Sequence, residues 1–122
     1  MFDFHSRTDE TFLSLTTDEE LGDAIRRSDD EPVVLFKHSA TCPISSGANQ
    51  RLTKMAEASE LPIYRLVVQE SRALSDAIEE QFGVRHESPQ VLVLVNGAVT
   101  FHTSHSSITV PRLREAVQPS DA

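Results

Sequence analysis

The run Val33-Val34-Leu35-Phe36 limits the possible folds of this chain more than any other feature, because it is apolar at every position. A strand with one exposed face alternates apolar and polar residues, whereas a strand covered on both faces does not. The run therefore predicts a central strand with helices on both sides of its sheet. The length of 122 residues suits one domain spanning 1–122, with an N-terminal arm over 1–10 and a C-terminal tail over 119–122.

Helical patterns lie on both sides of this strand. Thr17 followed by Glu20 is typical of a capping box and predicts a helix over about 18–28. After the strand, Pro43 fits a first helical turn, and apolar residues then recur on one side up to about residue 58. These patterns predict one helix before the central strand and one after it.

The alternation of strands and helices continues after the second helix. A strand is predicted over about 63–68, and it is followed by a helix that Ser71 caps and Gly83 ends. A further strand is predicted over about 91–95. A short extended stretch around Phe12–Leu15 precedes the first helix.

Asn96-Gly97 is typical of a tight hairpin turn and predicts a last strand over about 99–102. Thr109 and Pro111 then begin a final helix. Strand–helix–strand units favour parallel pairing, and the hairpin adds an antiparallel edge. We therefore predict an α/β fold, namely a thioredoxin-like three-layer α/β/α sandwich. Its central β-sheet is mixed and ends in an antiparallel C-terminal hairpin.

Charge and apolar content exclude several classes of partner. The net charge is −8, whereas nucleic acids and anionic membranes require a basic surface. The longest apolar stretch, Val91–Val95, is far shorter than the ~20 residues that cross a bilayer. Met1–His5 lack the pattern of a signal peptide, and a single cysteine is compatible with a reducing compartment. We expect a monomeric, cytoplasmic protein that binds neither nucleic acid nor membrane.

Cys42 is the residue with an evident covalent chemistry. It follows the central strand and begins a helix, where free N–H groups and the helix dipole stabilise a thiolate. Lys37 and His38, just upstream, are candidates to add positive charge, and the alternative for each is that it points into solvent. The alternative is that the lone cysteine serves only as a small buried apolar residue. Its position at a helix start favours reactivity.

The segment Cys42-Pro43-Ile44-Ser45 is a C-x-x-S motif, in which Ser45 stands where a dithiol enzyme has its second cysteine. Because the chain has no other thiol, a mixed disulfide on Cys42 must be resolved by an external thiol. Ser45 is a candidate hydrogen-bond donor to the thiolate. Alternatively, it is an ordinary polar residue of a first helical turn.

Ser88-Pro89 precedes the third core strand, where thioredoxin-like folds place a cis-proline that faces the cysteine. We therefore predict a cis bond here, with the Ser88 backbone offering hydrogen bonds to a disulfide substrate. No metal site is predicted, because no zinc-ligand spacing is matched by His38, His86, His102 and His105.

Three separated segments have a family likeness. They are Phe36–Ser45 (FKHSATCPIS), His86–Gln90 (HESPQ), and Ser104-His105 together with Ile108-Thr109. In this order they resemble the monothiol bacilliredoxins, small thioredoxin-like proteins of the bacillithiol system, and the resemblance extends from about residue 21 to residue 109. One departure is that the family often has a tryptophan near the Ser-His pair, whereas this chain has none.

The resemblance implies a reaction and a set of site residues. Cys42 would attack a protein cysteine capped by bacillithiol, a low-molecular-weight thiol, and a second bacillithiol would then release Cys42. The implied partners are bacillithiolated proteins and the low-molecular-weight thiol, with no bound cofactor and with bacillithiol as co-substrate. The implied active-site support comes from Lys37, His38, Thr41, Pro43 and Ser45, and the implied substrate contacts are Ser88, Pro89 and His105.

Other classes of function stay open at this point. C-x-x-S proteins of this fold can hold an iron–sulfur cluster between two protomers, but Pro43-Ile44 replaces the Gly-Phe of cluster-binding glutaredoxins. A redox-inert binding module would keep the fold and use the acidic surface to recruit a partner. Arsenate or peroxide chemistry is disfavoured, because no arginine cluster lies near Cys42 in the sequence and peroxidases of this fold usually have longer chains.

Overall fold

The computed structural model describes residues 11–118, so the predicted N-terminal arm and C-terminal tail lie outside the described residues. The strands of this range are β1 (Leu13–Ser14), β2 (Val33–His38), β3 (Ile63–Val67), β4 (Gln90–Val95) and β5 (Ala98–Ser104). Its α-helices are α1 (Asp18–Arg27), α2 (Pro43–Glu57), α3 (Arg72–Phe82) and α4 (Val110–Val117), and a short 3₁₀ helix, His105–Ser107, precedes α4. The predicted order of strands and helices is confirmed. No helix within residues 11–118 has both the length and the hydrophobicity to cross a membrane.

The strands form one sheet in the order β1-β3-β2-β4-β5, with β2 at its centre. β1, β3 and β2 are parallel, whereas β4 is antiparallel to β2 and β5 is antiparallel to β4. The parallel pairing expected for β4 is therefore wrong. The chain runs back along α3 before it enters β4, since His86 Nδ1 lies 3.1 Å from Ser75 Oγ in the first turn of that helix. As a result, β4 begins at the end of the sheet where β2 ends.

Helices cover both faces of the sheet, which confirms the three-layer sandwich. The apolar run Val33–Phe36 is 0% exposed, as expected for a strand that is covered on both faces. Leu35 packs in one cluster with Leu74 and other residues of α1 and α3. Phe36 packs in the other cluster with Leu52 and further residues of α2 and α4. The burial of apolar area in these two clusters is the main term that stabilises the fold.

The helix starts follow the predicted caps only in part. Thr17 Oγ1 accepts from the Glu20 N–H at 3.1 Å, as the capping pattern predicts. The Glu20 carboxylate accepts from the N–H of Thr16 at 2.7 Å, one residue before the capping-box position, and this bond lowers the pKa of Glu20. Ser71 precedes α3 as predicted, but its side chain caps no N–H group of the described helix.

Candidate active site

Cys42 lies at the N-cap of α2 with an extended backbone (φ −101°, ψ 122°), and Pro43 follows as the first helical residue. Its carbonyl oxygen accepts the first helical bond from the Ser46 N–H at 3.0 Å. The cysteine is a free thiol and is partly exposed. Next to it, the side chain of Ile44 is 47% exposed. A thiol in this position is accessible to a second molecule.

Ser45 is fully buried beneath the loop that leads to Cys42. Its hydroxyl oxygen accepts from the Ser39 N–H at 2.8 Å and lies 2.8 Å from His38 Nδ1. No hydrogen bond joins Ser45 to Cys42 within the described part of the chain, so the predicted donation to the thiolate is not formed in this structure. Ser45 occupies the position at which a dithiol enzyme has its second cysteine, and here its side chain holds the active-site loop.

His38 is the last residue of β2 and is half-buried, with its ring centroid 5.6 Å from that of Phe36. Burial lowers the pKa of His38, and the nearby Arg65 guanidinium lowers it further. Both effects disfavour the charged imidazolium, so the structure does not support the expected positive charge at His38. Its Nδ1 contacts the buried Ser45 hydroxyl instead.

Lys37 does not face Cys42, which corrects its predicted role as a positive charge beside the thiol. Side chains alternate along β2, so Lys37 shares with Leu35 the face that α3 covers, opposite to α2. It is fully buried, and its Nζ donates to the Ser75 carbonyl at 3.1 Å and lies 3.2 Å from His86 Nδ1. Burial lowers the pKa of Lys37, against smaller raising effects of nearby carboxylates.

Ser88-Pro89 has a cis peptide bond, as predicted. The loop that contains it lies beside the end of β2, because the residue after Pro89 pairs with Lys37 in the sheet. The Pro89 carbonyl accepts from the His105 N–H at 2.9 Å, and His105 Nδ1 lies 3.3 Å from Glu87 Oε1. The structure thus brings Ser88, Pro89 and His105 to the end of the sheet from which Cys42 emerges.

Thr41 is exposed and contacts a residue that the sequence analysis missed. Gln69, in the turn between β3 and α3, donates from Nε2 to Thr41 Oγ1 at 3.3 Å. A signal was available, because β3 is parallel to β2 and parallel neighbours place the residues after their carboxyl ends side by side. A polar residue directly after β3 was therefore a candidate for contact with the Cys42 loop.

The described residues contain no group of three or more His, Cys, Asp or Glu side chains placed to hold a metal ion. What the arrangement offers is a single, partly exposed thiol at a helix start, buried polar groups beneath it, and the partly exposed Ser88 beside the end of β2. An accessible thiol is what thiol–disulfide exchange needs.

A family comparison agrees with this geometry. Residues 13–113 match the family model described as monothiol bacilliredoxin BrxC. The chain belongs to the monothiol bacilliredoxin family. The resemblance of its three separated segments to bacilliredoxins is thereby confirmed, and membership supports a thiol redox function.

Solved structures support the same fold. A candidate oxidoreductase with a thioredoxin fold is 33% identical to this bacilliredoxin family member, with a TM-score of 0.82 over 90% of this chain and 96% of its own. Thioredoxin f from spinach chloroplast is 20% identical, with a TM-score of 0.68 over 88% of this chain and 90% of its own. A thioredoxin variant from Halobacterium salinarum is 17% identical, with a TM-score of 0.67 over 88% and 92%. The last two are similar in fold alone.

Proposed function

We propose that this protein is a monothiol oxidoreductase that removes bacillithiol from S-bacillithiolated proteins through Cys42. The observation that carries the proposal is the free, partly exposed thiol at the start of α2 in a chain of this family. The partners are bacillithiol-capped proteins and the free low-molecular-weight thiol. The protein acts as a monomer in the cytoplasm and needs no bound cofactor, since bacillithiol is a co-substrate.

The first step is a thiol–disulfide exchange. The Cys42 thiolate attacks the bacillithiol sulfur of the capped protein and forms a new S–S bond with it. The S–S bond between bacillithiol and the target breaks, and the target cysteine leaves as a thiolate that takes a proton from water. No net oxidation occurs, because one disulfide replaces another.

The second step requires a thiol from outside the chain. Cys42 is the one cysteine of the sequence, so no second thiol of the protein attacks the mixed disulfide. The thiolate of a free bacillithiol attacks the bacillithiol sulfur of that mixed disulfide. Cys42 leaves as a thiolate, and the other product is the bacillithiol disulfide.

The Ser88 backbone supplies the contact that orients the incoming disulfide. Ser88 is partly exposed beside the end of β2, and its N–H and C=O form no backbone hydrogen bond within residues 11–118. Free backbone groups at such a position pair with an extended segment of a substrate in the manner of an added strand. His105, held next to Pro89, borders the same contact.

The first test is intact-protein mass spectrometry after incubation with oxidised bacillithiol and, separately, with oxidised glutathione and coenzyme A disulfide. The expected result is one adduct of bacillithiol mass on Cys42, which reduced bacillithiol then removes. A Cys42→Ser variant is the control and should gain no mass. An adduct with glutathione or coenzyme A alone would support thiol–disulfide exchange at Cys42 but reject bacillithiol as the co-substrate. If none of the three thiols forms an adduct, the proposed function is rejected.

A further inference from the structure

The loop Ser39–Thr41 joins the end of β2 to Cys42 and is weakly held by its own backbone. Within it, the Cys42 N–H reaches the Ser39 carbonyl only at 3.5 Å. Ser39 is fixed from below by Ser45, whereas Ala40 and Thr41 are exposed. The position of the Cys42 backbone therefore depends on what holds residues 40 and 41.

The side chain of Gln69 holds this loop from outside. Its Oε1 accepts from the Ala40 N–H at 3.1 Å, and its Nε2 donates to Ser39 Oγ at 3.0 Å and to Thr41 Oγ1 at 3.3 Å. One amide group thus contacts each residue of the loop. The orientation of the amide is determined by chemistry, because the Ala40 N–H is a donor only and must meet the oxygen.

Gln69 is itself well placed for this role. It belongs to a turn in which the N–H groups of Glu70 and Ser71 donate to the Val67 carbonyl at 2.9 and 3.0 Å. Just before it, the Val68 N–H donates to the His38 carbonyl at 2.9 Å, which extends the pairing of β3 with β2 to the start of the loop. The paired ends of β2 and β3 therefore hold both Gln69 and the start of the loop Ser39–Thr41 in place.

We propose that Gln69 is a positioning residue for the reaction of Cys42. By holding Ser39, Ala40 and Thr41, it determines where the Cys42 thiol lies relative to the Ser88-Pro89 loop. This inference rests on the proposed function for its effect on exchange, but the contacts themselves do not depend on which thiol is the substrate.

The test compares Gln69→Met, Gln69→Glu and, as a matched control, Gln81→Met on the exposed surface of α3. Methionine keeps the length of the side chain and removes all three hydrogen bonds. Glutamate keeps an acceptor for the Ala40 N–H, and the Ser39 and Thr41 hydroxyls can donate to it. Each variant is assayed for the second-order rate at which Cys42 takes bacillithiol from a purified protein capped at one surface cysteine.

We expect Gln69→Met to lower this rate by about tenfold, which is part of the roughly hundredfold loss that a 1 Å misplacement of a reacting group can cause. Gln69→Glu should recover part of the rate, and Gln81→Met should match the wild type. The melting temperatures of all three should stay near the wild-type value, because two of the three lost bonds are exposed and the Ser39 hydroxyl still has Thr41 Oγ1 at 3.5 Å. A wild-type rate in Gln69→Met would overturn the proposal.

Two further measurements separate this inference from the proposed function. Amide hydrogen exchange of Ala40, followed by NMR, should become several-fold faster in Gln69→Met and stay slow in Gln69→Glu. The rate at which iodoacetamide alkylates Cys42 should change in Gln69→Met as well. If Cys42 of the wild type forms a mixed disulfide with none of the disulfides tested, the proposed function fails. If amide hydrogen exchange of Ala40 and alkylation of Cys42 are unchanged in Gln69→Met, the role of Gln69 is overturned, whatever the substrate of Cys42 is.

Discussion

At the residue scale, Ser45 shows how one hydroxyl supports the loop before the reactive cysteine. The Ser39 N–H is buried and donates to Ser45 Oγ at 2.8 Å. In Ser45→Ala this N–H loses its partner, and a buried unsatisfied donor costs about 1–3 kcal/mol. We expect the free energy of unfolding, measured by urea titration, to fall by about that amount.

The matched control is Ser46→Ala, the next residue of α2, which is exposed. It removes the same atom without leaving a buried group unpaired, so its unfolding midpoint should stay near that of the wild type. Equal midpoints for the two variants would contradict the role assigned to Ser45.

Two half-buried histidines make the stability of the fold depend on pH. Burial is the largest cause that lowers the pKa of His38 and of His86 from the ordinary value of 6.5. As the pH falls below about 6.5, the unfolded chain takes up these protons before the folded protein does. The contribution of the two neutral histidines to the stability of the folded state is therefore complete above that pH. It is lost as the pH falls towards their lowered pKa values.

We expect the melting temperature to fall between pH 7 and pH 5.5, and the fall to be smaller in His86→Asn. His86 is the sharper test, because a proton on its Nδ1 would face the ammonium group of Lys37 at 3.2 Å. His102→Asn, at an exposed position of the edge strand β5, is the matched substitution and reports what the replacement of a histidine by asparagine does to the melting temperature by itself. A wild-type slope in His86→Asn would show that another group causes the acid sensitivity.

At the element scale, the same substitution should have opposite effects in a turn and in a helix. Gly97, in the turn between β4 and β5, has φ +77°, which is unfavourable for a residue with a Cβ atom. Gly97→Ala should lower the free energy of unfolding by about 1–2 kcal/mol. Gly22→Ala in α1 should raise it by about 0.5–1 kcal/mol, since the new Cβ would meet only the flexible end of Arg26.

Urea unfolding of both variants tests this pair of predictions. Each alanine would meet no closer atom than 3.4 Å, so steric overlap does not explain a loss of stability in either case. A loss of similar size in both variants would contradict the assignment of the Gly97 effect to its backbone conformation.

The order of elements was predictable because it depends on local patterns. The apolar run of β2, the proline at the start of α2 and the Asn96-Gly97 turn each specify their element within a few residues. The direction of β4 was not predictable in this way, because it depends on where the chain goes after α3. The chain returns along α3, where His86 contacts Ser75, before it enters β4 in the direction opposite to β2.

The same limit explains the outcome at the candidate site. Cys42 and Ser88-Pro89 were found from their positions next to predicted strands, and the cis bond is confirmed. Lys37 was wrongly predicted to lie beside Cys42. The side chains of β2 alternate between the two faces of the sheet, but the sequence of that strand does not tell which face α2 covers. Gln69 was missed although parallel pairing of β2 and β3 was expected, because the sequence does not show which residue after β3 reaches the Cys42 loop.

At the scale of the whole molecule, the central position of β2 brings together segments that are distant in sequence. Its neighbours are β3 on one side and β4 on the other. The end of β2 is therefore bordered by Gln69 after β3 and by Pro89 before β4, and His105 joins through its bond to Pro89. The site is complete only in the folded chain.

The burial of Lys37 also gives the molecule a built-in measure of its own opening. The sequence has two lysines, of which Lys54 is exposed on α2 and Lys37 is fully buried with its amine bound to Ser75 and His86. A reagent that acylates amines would modify Lys54 in the native protein and Lys37 only while α3 is detached from the sheet. The ratio of the labelling rates at the two lysines thus reports how readily that layer opens.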